Sequence, residues 1–345
     1  MENFASLILR SAKVLAVFAP LTAQAGPTTY TPTAANVLSE FGAVIKGDIT
    51  GGHDFEGPVI VGGNLNAPAT LFGKGIAAND TNSANTSAGN PGLPSGFGTV
   101  NVYGNADGSY NANKVNGTLQ IINVAGTNNA QFGQQNPGNV VLNNPWSVPV
   151  AFTTIFQTLQ DLSSGLAGLA SKANSFVAPS GVFDALPGKV NGTSGIAIFN
   201  VTGETLSGFS DIKVKTNGAS TVVINVDVSG TSGSFTQTAN FNHSGPDNSD
   251  RQNVLWNFYD ATKTLSFKQW EGAVIAPNAN VANSSPIEGD VVAASATKNG
   301  EYHYNPFVGT LAFLSSAVAV PEPASMGLLG LGMVAAGMVR LRRPA

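Results

Sequence analysis

The chain has 345 residues, 40 of them glycine and 19 proline. Only 10% are charged, against roughly a quarter in an ordinary globular protein, so the polar surface must be mostly Asn, Thr, Ser and Gln. Without Arg10, Lys13, Arg340, Arg342, Arg343, Glu2 and Glu322 at the ends, 11 basic and 18 acidic residues remain, a net −7 that leaves no basic footprint for nucleic acid. The absence of cysteine excludes thiol catalysis, Cys-ligated metals and disulfide stapling, and a large continuous core or ladder must supply stability instead.

At the N-terminus, Arg10 and Lys13 lead into an apolar run from Val14 to Leu21 and the small residues Ala23 and Ala25. This is the pattern of a secretory signal peptide over 1–25, handled by the Sec machinery and cleaved after Ala25. The run is too short to span about 30 Å of hydrocarbon. Asn36–Lys46 reads as a short helix or a first strand, and Gly47–Leu65 sets Gly-bounded β runs, Pro58–Val61 among them, between tight turns. Gly73–Ser109 is loop-like apart from Thr99–Tyr103, an elaborated insertion between rungs. Thr118–Val124 and Asn139–Leu142 are strands.

Pro149–Lys172 is predicted to be the one long helix. Phe152, Ile155, Phe156, Leu159, Leu162, Leu166 and Leu169 recur at spacings of three and four, with Ser147 as its N-cap. Its apolar face is expected to pack on the chain's own sheet, with a dimer interface as the sharper alternative. Gly165 and Gly168, costly inside a helix, suggest close approach to that sheet. Gly195–Thr202, Ser220–Val228, Asn253–Tyr259 and Thr264–Trp270 follow as strands without an exact repeat.

Gln269–Gly309 contains two further β runs, Gly272–Ala276 and Ile287–Ala293, around an Asn/Ser-rich turn. Consecutive apolar residues such as Ala273, Val274 and Ile275 imply strands covered on both faces, as in parallel sheets. The predicted fold is mainly β, a coiled ladder of rungs, with a β-sandwich as the alternative.

The blocks GDITGGHDFEGPVIVGGN and EGAVIAPNANV…IEGDVVAAS…GEYHYNPFVG resemble the choice-of-anchor A domain of bacterial surface proteins, which is related to ice-binding-like adhesive domains. The resemblance covers about 36–313. It implies a right-handed parallel β-solenoid with one long helix packed alongside. At the tail, Pro321-Glu322-Pro323 precedes an apolar stretch, Met326–Val339, and the basic residues Arg340, Arg342 and Arg343. This resembles the PEP-CTERM sorting signal of Gram-negative bacteria, here 320–345. The prolines keep the motif extended and the arginines hold the far end in the cytoplasm. The resemblance implies an exosortase as partner, with the chain as its substrate and a transient membrane anchor. At 1.5 Å per residue, Ala324–Val339 reaches about 24 Å, a marginal span.

No residue pattern selects a catalytic site or cofactor. His53 with Asp48, Asp54 and Glu56 is expected to be a solvated turn, and Glu301 and His303 are placed on one face of an extended stretch. His243 stands alone. Asp247, Asn248 and Asp250 lack calcium-loop spacing, and Gly62-Gly63 is no phosphate loop. The expected function is therefore non-enzymatic: an exported surface or matrix protein, adhesive or structural, associated with exopolysaccharide. An ice- or crystal-surface binder is one alternative, weakened by threonines scattered at Thr216, Thr221, Thr231, Thr236 and Thr238. A carbohydrate-active enzyme is the other.

Overall fold

Runs of Val, Ile and Ala too short to be stable alone stack edge to edge into one long sheet. The computed structural model describes residues 30–66, 93–111, 120–133, 140–242 and 249–315. Five short strands come first: β1 (Ala43–Ile45), β2 (Val59–Val61), β3 (Val100–Val102), β4 (Gln120–Val124) and β5 (Val140–Asn143). Five mostly longer ones follow the long helix: β6 (Thr193–Thr202), β7 (Thr221–Asp227), β8 (Val254–Asn257), β9 (Ala273–Asn283) and β10 (Val291–Lys298). Their order across the sheet is β6-β7-β8-β9-β10-β1-β2-β3-β4-β5. The first rung of the chain is thus stacked on the last, Ala43 opposite Val291 and Ile45 opposite Ala293.

Pairing is parallel throughout this order, with Gly188–Val190 added antiparallel outside β6. Smaller parallel sheets lie beside the main one, including Trp270–Glu271, Ile287–Glu288 and Tyr302–His303. The fold is mainly β, as expected, and the described residues form no closed barrel and no pair of face-packed antiparallel layers. Both faces of the strands are covered. Ala43, Ile45, Val59, Val61, Ala197, Phe199, Ile224 and Trp256 enter one core, while Val44, Ile60, Ile198, Val223, Leu255 and Ile275 enter another beneath the helices.

Asn36–Lys46 resolves into both of its readings: helix α1 (Ala34–Glu40), capped by the Thr33 side chain, and then β1. Helix α2 is Phe152–Ala167, and its Ile155, Phe156, Leu159, Leu162 and Leu166 are buried on the second core, the intramolecular packing rather than a dimer face. It starts later than expected, and Ser147 is not its cap. The Tyr103 hydroxyl donates to the Val150 carbonyl at 2.8 Å and Trp146 Nε1 to Gly96 at 2.9 Å, which ties residues 146–150 to the ladder rather than to the helix. Gly165 and Gly168 do not face the sheet. Gly165 approaches Leu314, and both line a groove between α1, α2 and Gly309–Leu314.

A helix of 16 residues is about 24 Å long, the width of six strands spaced at about 4.8 Å. One helical turn therefore advances about one rung. The asparagines of β6, β7 and β8 use this match: Asn200 donates to the Ala170 carbonyl, Asn225 to Leu166 at 2.9 Å and Asn257 to Ser163 at 2.9 Å. Asn257 also donates to Asn225 Oδ1 at 3.0 Å, so the ladder itself satisfies carbonyls in the last turns of the helix and just beyond its end.

The Asn/Ser-rich turn after Ala276 is shorter than expected, confined to 284–286. β9 runs on to Asn283, since Ala279 and Val281 fill the core while Asn280 and Ala282 face outward. Alternation at Asn and Ala is a weak hydrophobic signal, which hid it.

Candidate functional site: a ladder face and a charged seam

Register gathers small polar residues that the sequence scatters. On one outward column, Thr236 lies opposite Ser266, Ser266 opposite Ala282, Ala282 opposite Thr297, Thr297 opposite Thr50 and Thr50 opposite Asn66. A second column alongside pairs Thr264 with Asn280 and Asn280 with Ser295. The residues between them, Leu265, Val281, Ala296, Ile49 and Leu65, are buried and anchor the backbone from behind. Ser295 Oγ donates to Asn280 Oδ1 at 2.9 Å and Thr50 Oγ1 to the Ala296 carbonyl at 3.4 Å, so hydroxyls and amides are held in fixed positions. The columns carry no formal charge. Six rungs at about 4.8 Å make a face about 24 Å long.

Of the scattered threonines, only Thr236 is on this face; Thr216 and Thr221 are buried and Thr238 bonds the Ser207 carbonyl. Sequence reading missed the others because the partners of Thr50 and Thr297 lie at opposite ends of the domain. A signal existed at the coil corner, in Gly47-Asp48, Gly63-Asn64, Gly104-Asn105 and Gly126-Thr127. There Asp48 Oδ1 accepts the Asn64 N–H at 2.7 Å, Asn64 Oδ1 that of Asn105 at 2.9 Å and Asn105 Oδ1 that of Thr127 at 2.8 Å. The corner glycines pack so closely that a Cβ on Gly104 would lie 2.3 Å from the Gly63 carbonyl oxygen.

His53, Asp48, Asp54 and Glu56, expected in one solvated turn, are dispersed, and Asp54 is buried. Asp48 belongs to the corner ladder, His53 is exposed and the carbonyls of His53 and Asp54 accept Lys298 Nζ at 2.9 and 2.8 Å. Glu56 is instead carried to His303, because Phe55 pairs with Tyr302 across the junction of β1 and β10. His303 Nδ1 is 2.6 Å from Glu288 Oε1, and Nε2 is 2.8 Å from Glu301 Oε2 and 3.9 Å from Glu56 Oε1. Arg251 and Asn305 hold the second Glu288 oxygen at 2.8 and 3.1 Å. The Glu288 bond raises the imidazole to about 9 against the effect of burial, with Glu301 and Glu56 adding to it. Burial pushes Glu288 upward, but His303, Arg251 and Asn305 outweigh it and hold the carboxyl below its usual range.

Lys298 is fully buried beside this seam, 3.6 Å above the Phe55 ring. Burial pulls its ammonium down to about 7, opposed by Asp54 and Glu301.

A carboxylate pair that the sequence did not select lies elsewhere. Asp227 and Asp260 share a hydrogen bond; the Ser229 hydroxyl lowers Asp227 while burial raises Asp260. Groups in contact are too close for a glycosidase pair, whose carboxyls stand about 5 to 9.5 Å apart. Both also accept backbone N–H groups of the 228–229 turn, at 3.0 and 2.9 Å.

Ala23, Ala25, Pro321, Glu322, Pro323, Arg340, Arg342 and Arg343 lie outside the described residues, as do His243, Asp247, Asn248 and the apolar stretch Ala324–Val339. Among the described residues no helix is long and apolar enough to cross a membrane.

A family model for the PEP-CTERM protein-sorting motif matches residues 319–343. No curated protein matches the chain. A family model for an ice-binding-like adhesive domain matches residues 34–304, a span that takes in the ladder face and His303 with Glu56, Glu288 and Glu301. The chain belongs to the ice-binding-like adhesive domain family and carries a PEP-CTERM sorting motif at its C-terminal end.

Proposed function

We propose that this is an exported, exosortase-sorted surface protein whose ladder face adheres to extracellular polysaccharide. The observation that carries the reading is the in-register column from Thr236 to Asn66. Rigid, neutral hydroxyls and amides at a repeat of about 4.8 Å suit an extended polymer of hydroxyl groups, since few rotamers are lost and no charge must be desolvated. The adhesive family and the sorting motif support the surface role.

In this reading the rungs coil as a right-handed parallel β-solenoid over 36–313, preceded by a Sec-dependent signal peptide at 1–25 and followed by the sorting signal at 320–345. Exosortase reads Pro321, Glu322 and Pro323 while Arg340, Arg342 and Arg343 stay cytoplasmic. The protein then resides at the surface of a Gram-negative cell or in its matrix. Intact-mass analysis of the protein from its host tests both processed ends.

The test of adhesion is retention on matrix polysaccharide from that host. Ser266→Arg with Thr297→Arg lifts a polymer off the column and is expected to weaken retention at least tenfold with an unchanged unfolding midpoint. Undiminished retention would discard the ladder face as the adhesive surface. The same column supports a second reading, binding to ice or another crystal surface, and thermal hysteresis by the purified protein decides for it.

A further inference from the structure

Glu56 stands at the start of the ladder's chain order and Glu301 and His303 at its end, yet the ligand atoms they offer all lie within 4.8 Å of one another. Nε2 of His303 is 2.8 Å from Glu301 Oε2 and 3.9 Å from Glu56 Oε1. A tetrahedral ion with bonds of about 2.0–2.1 Å holds its ligand atoms about 3.3 Å apart, so shifts of about 0.5 Å would bring both separations to that value.

The other side of the ring is prepared in the same sense. Nδ1 meets Glu288 at 2.6 Å, and Glu288 is itself fixed by Arg251 at 2.8 Å and Asn305 at 3.1 Å. A carboxylate behind the imidazole that sets its tautomer and aims the opposite nitrogen is the usual support of a metal-bound histidine. An ion pair alone needs one carboxylate on the ring, whereas three converge here and Arg251 engages the rear one. The side chains of His303, Glu56 and Glu301 are 24%, 19% and 32% exposed, which leaves a path from solvent. One imidazole with carboxylate oxygens suits zinc and its neighbours better than calcium, which takes oxygen ligands.

We propose that Glu56, Glu301 and His303 form a zinc-class divalent metal site that clamps the first rung of the N-terminal half to the last rung of the C-terminal half. Binding exchanges the Nε2 proton for the ion and releases that proton to solvent. The site is separate from the ladder face and does not depend on adhesion.

The test is calorimetric titration of the chelator-stripped full chain with zinc chloride, alongside its urea unfolding midpoint. One ion per chain and a higher midpoint are expected. Glu56→Gln and Glu301→Gln should each weaken binding at least tenfold, and Glu288→Gln by about 10- to 100-fold through loss of ring orientation. Asp184→Asn, at a remote exposed pair with Lys215, should leave binding unchanged. His303→Gln removes a bracing cation as well as a ligand, so Glu56→Gln is the deciding variant, checked by circular dichroism for an unaltered fold. No uptake of zinc, uptake undiminished by Glu56→Gln or by Glu301→Gln, or a preference for calcium overturns the proposal.

Discussion

The two halves of the ladder stack in one sheet but are filled differently. The C-terminal rungs, β6 to β10, enclose Phe183, Phe199, Trp256, Phe258, Phe267 and Trp270, with Trp256 and Trp270 ring centroids 4.7 Å apart. The N-terminal rungs hold Val59, Val61, Val100, Val102, Ala106, Ile122 and Val124. Their asparagines also differ in what they grip. Asn101, Asn123 and Asn143 bond one another at 2.8 Å and neighbouring loop carbonyls, whereas Asn225 and Asn257, also bonded to each other at 3.0 Å, reach across to α2, and Asn200 reaches Ala170 just beyond its end. One half has an aromatic core and asparagines bonded to helix carbonyls; the other has a mostly aliphatic core and asparagines bonded to loop carbonyls.

The largest test of this difference is volume. Trp256→Ala is expected to cost about 4 kcal/mol and Ile122→Ala about 2 kcal/mol, read from urea denaturation, because a large interlocked aromatic leaves a cavity that cannot collapse. Equal losses would erase the contrast.

The seam comes next. Gly51 has φ of +92°, and a Cβ there would lie 2.0 Å from the Lys298 carbonyl oxygen. Gly51→Ala should therefore cost about 3 kcal/mol, through backbone strain and overpacking. Hydrogen exchange should locate the loosening at β1 and β10, and protection lost evenly along the sheet would argue against a discrete seam.

A smaller effect separates the two asparagine ladders. Asn257→Ala strands the Asn225 and Ser163 acceptors in the interior and should cost about 2 kcal/mol, with faster exchange at the end of α2. Asn123→Ala should cost about 1 kcal/mol and leave α2 unchanged.

The smallest is a pH effect at the seam in metal-free protein. His303 is raised from 6.5 to about 9 in the folded state, so its contribution is present below 6.5 and is lost as pH rises toward 9. Lys298 is lowered from 10.5 to about 7, so the unfolded chain binds the extra proton between those values and stability rises with pH there. The two oppose each other from pH 7 to 9. The urea midpoint of the parent should vary little over that window, while His303→Gln should show a rise; parallel profiles would remove His303 as a brace.

Composition and local pattern by themselves determined that the chain is mainly β, free of thiol chemistry, built of strands buried on both faces and crossed by one amphipathic helix. Each of these depends on the hydrophobic spacing within a few residues. Only the tertiary structure decided that Ala43 stacks on Val291, that Thr50 and Thr297 share a column and that Glu56 meets His303. Parallel rungs pair residues a full circuit apart, or across the whole domain, and their hydrogen bonds are made by the backbone, which is the same for every residue. Side-chain patterns therefore fix which face a strand buries, while corner contacts such as Gly63 against Gly104 and the return path of α2 fix which strand it meets.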